Sequence, residues 1–317
     1  MDKKRIIIDT DPGIDDSLAI LLAVASPELQ IEGLTVVSGN CTLENGVINA
    51  LSVLELAGRS DLPVFGGAAR PLVQPLLIAP ETHGERGIGY ARLPYPVAKP
   101  SSQHAVEFII EKVSAHPGEI SLVCIGPLTN LALALRLAPQ IVEKIPEVII
   151  MGGAIRHEGN TTALAEFNTY CDPHAAHIVF HSGLPITLVP LDVTYQVNFT
   201  RMDVQRLLDI PSPVSTFIAD ATRFYMEFHD EYQKIDGCII NDPLALALTI
   251  APHFVTTEEL FVDVDISGGV SMGKTFADFY RISQNPPNMD VALRVQARQF
   301  IEFFLERAAD LCRMIPE

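Results

Sequence analysis

The chain lacks the features that direct a protein to a membrane or to a secretory route. No apolar run approaches the roughly 20 residues of a membrane-spanning helix, although 48% of the 317 residues are hydrophobic. The charged start at residues 1–5 is followed by only three apolar residues before Asp9, so no signal peptide is predicted. We therefore expect a cytoplasmic protein with no membrane partner.

Basic residues, cysteines and tryptophan are also scarce. The 22 Lys and Arg face 39 Asp and Glu, for a formal net charge of −17, which excludes nucleic acid as the main partner because phosphate binding needs clustered cations. The five cysteines are scattered without a C-x-x-C pair, so neither a disulfide framework nor a cysteine-ligated zinc site is predicted. Tryptophan is absent, so any ring that stacks on a ligand must be Phe, Tyr or His.

Short apolar runs alternate with helical patterns, without an internal repeat. The apolar runs are rich in Ile, Val and Leu, as buried parallel strands are, and they lie at 5–9, 31–38, 62–65, 120–125, 148–152 and 186–191. The helical patterns lie at 14–25, 44–58, 103–115, 128–138, 173–182 and 213–229. This alternation predicts an α/β fold, a doubly wound and mostly parallel sheet flanked by helices, in one domain of residues 1–317.

The turn after the first strand is unusually acidic. It holds four aspartates within eight residues, namely Asp9, Asp11, Asp15 and Asp16. One aspartate there is explained as a helix cap, but four crowded carboxylates resist ionisation unless a cation neutralises them. Carboxylate oxygens favour a hard ion, so Asp11, Asp15 and Asp16 predict a calcium or magnesium site. It should lie at the carboxyl edge of the sheet, where ligands of open α/β folds bind.

Two other acidic motifs were compared with this turn, and only one of them stays open. An EF-hand loop is excluded, because the twelfth position counted from Asp9 is Ile20 where that loop needs a glutamate. The D-x-D of Asp9-Thr-Asp11 matches the strand end of haloacid dehalogenase-type phosphatases, although Pro12-Gly13 departs from what usually follows there. A metal-dependent phosphatase therefore stays open as an alternative.

The segment 8–16 resembles the D-x-D-P-G-x-D-D signature of the inosine-uridine nucleoside hydrolase family. The similarity continues, in order and spacing, over about the first 290 residues. The resemblance implies a nucleoside hydrolase-like fold and a calcium-dependent N-ribosyl hydrolase, which acts on purine or pyrimidine ribonucleosides in salvage as a homo-oligomer, a dimer or homotetramer. Further matching segments end at Asn40 and lie at 83–87, 126–130, 151–153, 160, 165–168, 172–173 and 241–243.

The resemblance also implies roles for individual residues. One Ca²⁺ per chain would be held by the main-chain carbonyl of Ile125 and by the carboxylates of Asp11, Asp15, Asp16 and Asp242. Asp11 would also take a proton from the attacking water. The ribose hydroxyls would be bound by Asn40, Asn160, Glu166 and Asn168, with Phe167 beside them in the substrate-binding set. Such a set suits the reaction, because breaking the ribosyl C–N bond builds positive charge on the sugar.

The sequence departs from the family pattern at the residue that is credited with protonating the leaving base. Many relatives carry a histidine, credited with protonating the base, where this chain has Asn241, which can donate a hydrogen bond but not a proton. His83 is our candidate for the missing acid, since histidine titrates near neutral pH. Tyr225 and His229 share a helix face, and this face either lines a base pocket or packs on the core. Asn241 also leaves open a non-catalytic sugar-binding module on the same scaffold.

Overall fold

The computed structural model describes residues 3–316, which form an eight-stranded sheet with helices on both faces. The strands are β1 (Lys4–Thr10), β2 (Leu29–Val36), β3 (Val64–Gly66), β4 (Ile120–Cys124), β5 (Val148–Met151), β6 (Ile186–Val189), β7 (Asn198–Phe199), β8 (Cys238–Ile239), β9 (Val255–Leu260), β10 (Val262–Val264), β11 (Thr275–Ala277) and β12 (Met289–Val295). The helices are α1 (Ile14–Val24), α2 (Leu43–Leu56), α3 (Pro80–His83), α4 (Ala105–Ala115), α5 (Thr129–Leu137), α6 (Phe167–Cys171), α7 (Pro173–Phe180), α8 (Leu191–Thr194), α9 (Arg201–Leu208), α10 (Pro213–Phe228), α11 (Asn241–Ala247) and α12 (Ala297–Met314).

The main sheet has the strand order β3-β2-β1-β4-β5-β6-β12-β9. All neighbouring pairs are parallel except β12 and β9, so the predicted doubly wound, mostly parallel sheet is confirmed. The six predicted strands and six predicted helical regions are all present, with ends shifted by a few residues. The sequence did not predict β9, β12 and α12, because β9 is polar and mostly exposed and β12 mixes charged and apolar residues.

The core lies on both faces of the sheet. Ile6 and Ile8 of β1 point into the layer formed by α1, α2, α10, α11 and α12, while Ile7 points into the layer of α4, α5 and α7. This alternation is what strand geometry dictates, and each such side chain contributes about 1.5–3 kcal/mol when it is removed from water. Burial on both faces explains why the strands were readable as unbroken apolar runs.

The topology selects one edge of the sheet for a binding site. From β1 the chain runs through β2 to β3 on one side, and then crosses back to β4 on the other side of β1. A crevice opens between the carboxyl ends of the two strands at such a reversal. The segments that leave β1 and β4 there carry Asp11 and Ile125. No helix within residues 3–316 is long and apolar enough to cross a membrane.

Candidate active site

Asp11 follows β1 at the carboxyl edge of the sheet and is fully buried. Its Oδ2 accepts a hydrogen bond of 2.6 Å from the backbone N–H of Asn40, but its Oδ1 has no partner. Two glycines make room for the carboxylate, because a Cβ on Gly126 would lie 2.5 Å from Oδ1 and a Cβ on Gly39 would overlap Oδ2. The fold therefore builds a pocket around a buried carboxylate oxygen that lacks a donor.

Asp16 is fixed by hydrogen bonds from several sides. Its Oδ1 accepts from the hydroxyl of Thr10 at 2.6 Å, and its Oδ2 accepts from the N–H of Gly13 at 3.0 Å, the residue before α1. The side-chain amide of Asn40 also donates to Oδ2, at 2.8 Å. Asp16 thus caps the start of α1 and holds Asn40 in place.

Asp15 and Asp242 complete the carboxylate cluster. One oxygen each of Asp15, Asp16 and Asp242 lie within 4.8 Å of one another, and all three residues are buried. Asp242 lies in the first turn of α11 rather than at its N-cap. Asn241 donates from Nδ2 to Asp15 Oδ2 at 2.9 Å, and its own Oδ1 is buried without a partner. The buried triad offers oxygen ligands to a metal ion.

The electrostatics of the cluster favour a bound cation. Burial raises the pKa of Asp11 and that of Asp242 well above the usual range, and the neighbouring carboxylates raise both further. Burial likewise raises the pKa of Asp15 and that of Asp16. A cation bound among these oxygens would reverse the effect and hold them ionised. The all-oxygen set and the unpartnered Asp11 Oδ1 fit a hard ion.

Glu166 stands on one wall of the site, where it is the N-cap of α6. Its Oε1 accepts from the N–H of Asn168 at 2.8 Å, and its Oε2 accepts from the N–H groups of Gly153 and Thr169 at 2.8 and 3.0 Å. Burial raises the pKa of Glu166, and these hydrogen bonds oppose that rise. Donors of the main chain therefore satisfy the buried acid, as a buried carboxylate requires.

The neighbours of Glu166 are also held by main-chain contacts. The amide of Asn168 donates to the carbonyls of Ile125 and Met151 at 3.0 and 3.2 Å, which ties α6 to the ends of β4 and β5. Asn160 accepts from the N–H of Phe167 at 2.9 Å and so braces the start of α6. The Ile125 carbonyl keeps a second lone pair, as the predicted ligand role requires.

These groups line one cavity of about 690 Å³, within the usual range for small-molecule sites. The structure brings the predicted site residues together here: all of them line the cavity except Asp11 and Asp16, which lie buried beneath it. Tyr225 and His229 both line the cavity, and Tyr225 also packs in the core, so a role in base binding stays a prediction. Sequence reasoning missed further lining side chains in segments without a signature, namely the π-helical turn that ends at Gln233 and the loops that carry His157, Glu158, Tyr195 and Ile235.

Two histidines of the cavity carry no charge at neutral pH. His83 is buried rather than exposed, and its Nδ1 accepts from the N–H of Ile14 at 3.1 Å, so Nε2 holds the proton of the neutral ring. Nδ1 of His229 lies 2.8 Å from the Tyr225 carbonyl. Burial lowers the pKa of each histidine to about 4. This weakens the expectation that His83 delivers a proton as an imidazolium, and leaves it as a neutral hydrogen-bond donor.

Comparison with known proteins decides the family. A family model described as inosine-uridine preferring nucleoside hydrolase matches residues 6–302. The chain belongs to this family. Its members' reaction, hydrolysis of the N-ribosyl bond of ribonucleosides, is therefore the activity of this enzyme, and the hydrolase interpretation of the sequence is confirmed over the phosphatase and non-catalytic alternatives.

Individual relatives of this nucleoside hydrolase agree over nearly its whole length. It is 41% identical over 303 residues to the pyrimidine-specific ribonucleoside hydrolase RihA of Salmonella paratyphi B, covering 95% of this chain and 97% of the relative. Among solved structures, it is similar to a purine-preferring ribonucleoside hydrolase from Gardnerella vaginalis, with a TM-score of 0.93, 35% identity and coverage of 98% and 100%. The plant nucleoside hydrolase PpNRh1 gives a TM-score of 0.91, 36% identity and coverage of 96% and 99%.

Proposed function

We propose that the enzyme is a calcium-dependent hydrolase of pyrimidine ribonucleosides. The observation that carries the calcium assignment is the buried carboxylate cluster under the cavity, with an Asp11 oxygen that lacks any donor. The similarity to a pyrimidine-specific enzyme at 41% identity supports the substrate class. By resemblance to the family we also expect a dimer or tetramer, which light scattering can test.

The chain's own residues divide the work of the reaction. Asp11, Asp15, Asp16, Asp242 and the Ile125 carbonyl would hold calcium. When bound, the ion would bind the two ribose hydroxyls and orient the attacking water. Asp11 would accept a proton from the attacking water as the general base.

Polar side chains around the carboxylate cluster bind the sugar and stabilise its developing charge. The ribose lies against Glu166, Asn160, Asn168 and Asn40, whose positions are fixed by the contacts described above. The carboxylate of Glu166 favours the positive charge that builds on the sugar as the C–N bond breaks. Neutral His83 donates from Nε2 to the departing base, and the rings of Tyr225 and Phe167 pack beside the substrate.

Steady-state kinetics with a matched set of nucleosides tests the proposal. We expect kcat/KM to be higher for uridine and cytidine than for inosine, and activity to vanish with a chelator and return with Ca²⁺. Deoxyuridine should be a very poor substrate, because a site built to bind a hydroxyl rejects the analogue that lacks it by as much as ~10⁴-fold. Faster inosine cleavage would overturn the pyrimidine assignment alone. Full activity after exhaustive chelation would overturn the calcium assignment.

A further inference from the structure

A second cluster of metal-binding side chains lies outside the active site. His177 on α7 and His181 at the end of that helix are four residues apart and share a face. The strand β10 brings Asp263 against them, and His177 Nδ1 lies 2.8 Å and His181 Nε2 3.1 Å from the same Asp263 Oδ1. The two imidazole rings are 4.5 Å apart between centroids. Residues 86 positions apart in the chain thus converge on one oxygen atom.

The spacing suits a single metal ion. One ligand atom from each of the three residues lies within 4.8 Å of the others. Ligands at the usual zinc distances of about 2.0–2.2 Å, arranged as a tetrahedron, lie roughly 3.4 Å from one another, so the contacts of 2.8 and 3.1 Å need to open by about 0.3–0.6 Å. Two imidazoles and a carboxylate favour a transition metal over calcium. The chemistry of this cluster therefore differs from that of the all-carboxylate site.

The cluster is both oriented and accessible. Asp263 Oδ1 also accepts the N–H of Val264 at 2.8 Å, and β10 is held in register by β11. The side chains of His177, His181 and Asp263 are 38%, 37% and 21% exposed, so an ion can reach them and keep a water as its fourth ligand. A surface groove of about 410 Å³ opens beside His177 and Asp263.

We propose that His177, His181 and Asp263 form a second metal site, which takes a divalent transition metal such as Zn²⁺ with three protein ligands and one water. The site ties α7 to the β10–β11 hairpin. This hairpin supports the active-site wall, because Thr275 accepts from the N–H of Ala154 at 2.8 Å and Lys274 donates to the Ala154 carbonyl at 2.6 Å. Zinc bound here stabilises the packing behind the wall and takes no part in the reaction.

The test is zinc binding to the calcium-loaded full chain. We expect about one Zn²⁺ per chain by equilibrium dialysis in excess calcium, a rise of Tm with zinc concentration, and tetrahedral Co²⁺ absorption in the visible when CoCl₂ replaces zinc. Replacing one ligand in His177→Ala or Asp263→Asn should weaken zinc binding by at least ~10-fold. Uridine hydrolysis in calcium should be retained by both variants, which verifies their fold.

His116→Ala is the matched control. His116 is 38% exposed, like His177, and has one carboxylate, Glu119, at 3.8 Å, but it belongs to no group of three metal-binding side chains within residues 3–316. This variant should bind zinc as the native chain does. Zinc binding that persists unchanged in His177→Ala and Asp263→Asn, or that is lost only in Asp242→Asn, would assign the ion elsewhere and overturn the proposal. A native chain that binds no zinc at micromolar concentration would overturn it as well.

Discussion

Asp11 is completely buried, yet one of its carboxylate oxygens has no hydrogen-bond partner in the chain. Asp9, two residues earlier, also has one buried oxygen without a partner among residues 3–316, its Oδ2, but its Oδ1 accepts from Thr35 at 2.6 Å and from Asn130 at 2.8 Å. Neither side chain lines the cavity, but burial, Asp16 and Asp15 all raise the pKa of Asp11, whereas burial alone raises that of Asp9, to about 6. The acidic turn therefore contains one carboxylate bonded to neighbouring strands and helices and one that belongs to the carboxylate cluster.

The first prediction compares these two aspartates. Asp11→Asn keeps the shape but removes the base and one charge, so we expect kcat for uridine to fall by at least ~10²-fold, the usual scale for a general base. Asp9→Asn should retain most of the activity, because its hydrogen bonds can be kept by the amide oxygen. Circular dichroism checks that both variants fold. Near-native turnover in folded Asp11→Asn would remove Asp11 from the mechanism.

The second prediction concerns His83, which we expect to assist the leaving base as a neutral donor. His83→Ala should slow uridine hydrolysis by about 10²-fold, but should barely slow p-nitrophenyl riboside, whose leaving group departs without help. Because burial lowers the pKa of His83 to about 4, its titration should not shape the native kcat profile around neutral pH. Equal slowing of both substrates would show that His83 positions the sugar or the loop instead.

At the scale of elements, the β10–β11 hairpin supports the loop between β5 and α6. Lys274, just before β11, donates from Nζ to the carbonyls of Ala154, Ile155 and His157 at 2.6, 3.4 and 3.3 Å. This loop continues to Asn160 and ends at Glu166, the cap of α6. A single ammonium thus binds three carbonyls of this loop, and it fixes the wall that we assign to the ribose.

The third prediction tests this contact with Lys274→Met, which keeps the apolar stem and removes the donors. We expect KM for uridine to rise more than kcat falls, because the loop positions the sugar without reacting. The free energy of unfolding should drop by about 1 kcal/mol. The side chain is partly exposed, and a hydrogen bond from a charged group contributes little more than this at such a position. Lys99→Met, at an exposed position, is the control. A fall in kcat at unchanged KM would contradict this positioning role.

At the scale of the whole molecule, the carboxylate cluster makes the calcium-free protein sensitive to pH. Burial raises the pKa of Asp11 and of Asp242 well above the usual value of 3.8. At a pH below that value the carboxyls are protonated in both the folded and the unfolded chain, so they do not lower the free energy of unfolding. As pH rises the unfolded chain loses these protons first, and the contribution of the cluster to the free energy of unfolding falls.

The fourth prediction follows from that sign. Calcium should offset the repulsion, so the difference in Tm between calcium-loaded and chelated protein should grow from about pH 5 to about pH 8. Taking the difference at each pH separates the cluster from His83 and His229, whose lowered pKa values act in the opposite direction. Differential scanning calorimetry measures both forms. A calcium effect that is constant with pH, or that shrinks as pH rises, would contradict this account.

The sequence by itself determined the sheet and the acidic turn. Strands buried on both faces must be apolar throughout, so β1, β4 and β5 were visible as runs of Ile, Val and Leu. The crowding of Asp11, Asp15 and Asp16 is also local, because all three lie on one turn and the start of one helix. Both signals come from neighbours in the chain, which is why they required no knowledge of the fold.

Only the tertiary structure decided what surrounds these residues. Asn241 reaches Asp15 across 226 positions of sequence, and the buried pocket around Asp11 needs Gly39 and Gly126 from two other strand ends. The lowered pKa of His83 follows from burial, and its tautomer follows from the Ile14 N–H that donates to its ring; a loop sequence reveals neither. Burial and pKa depend on groups that meet only when distant segments pack, so the packed chain sets the chemistry of the site.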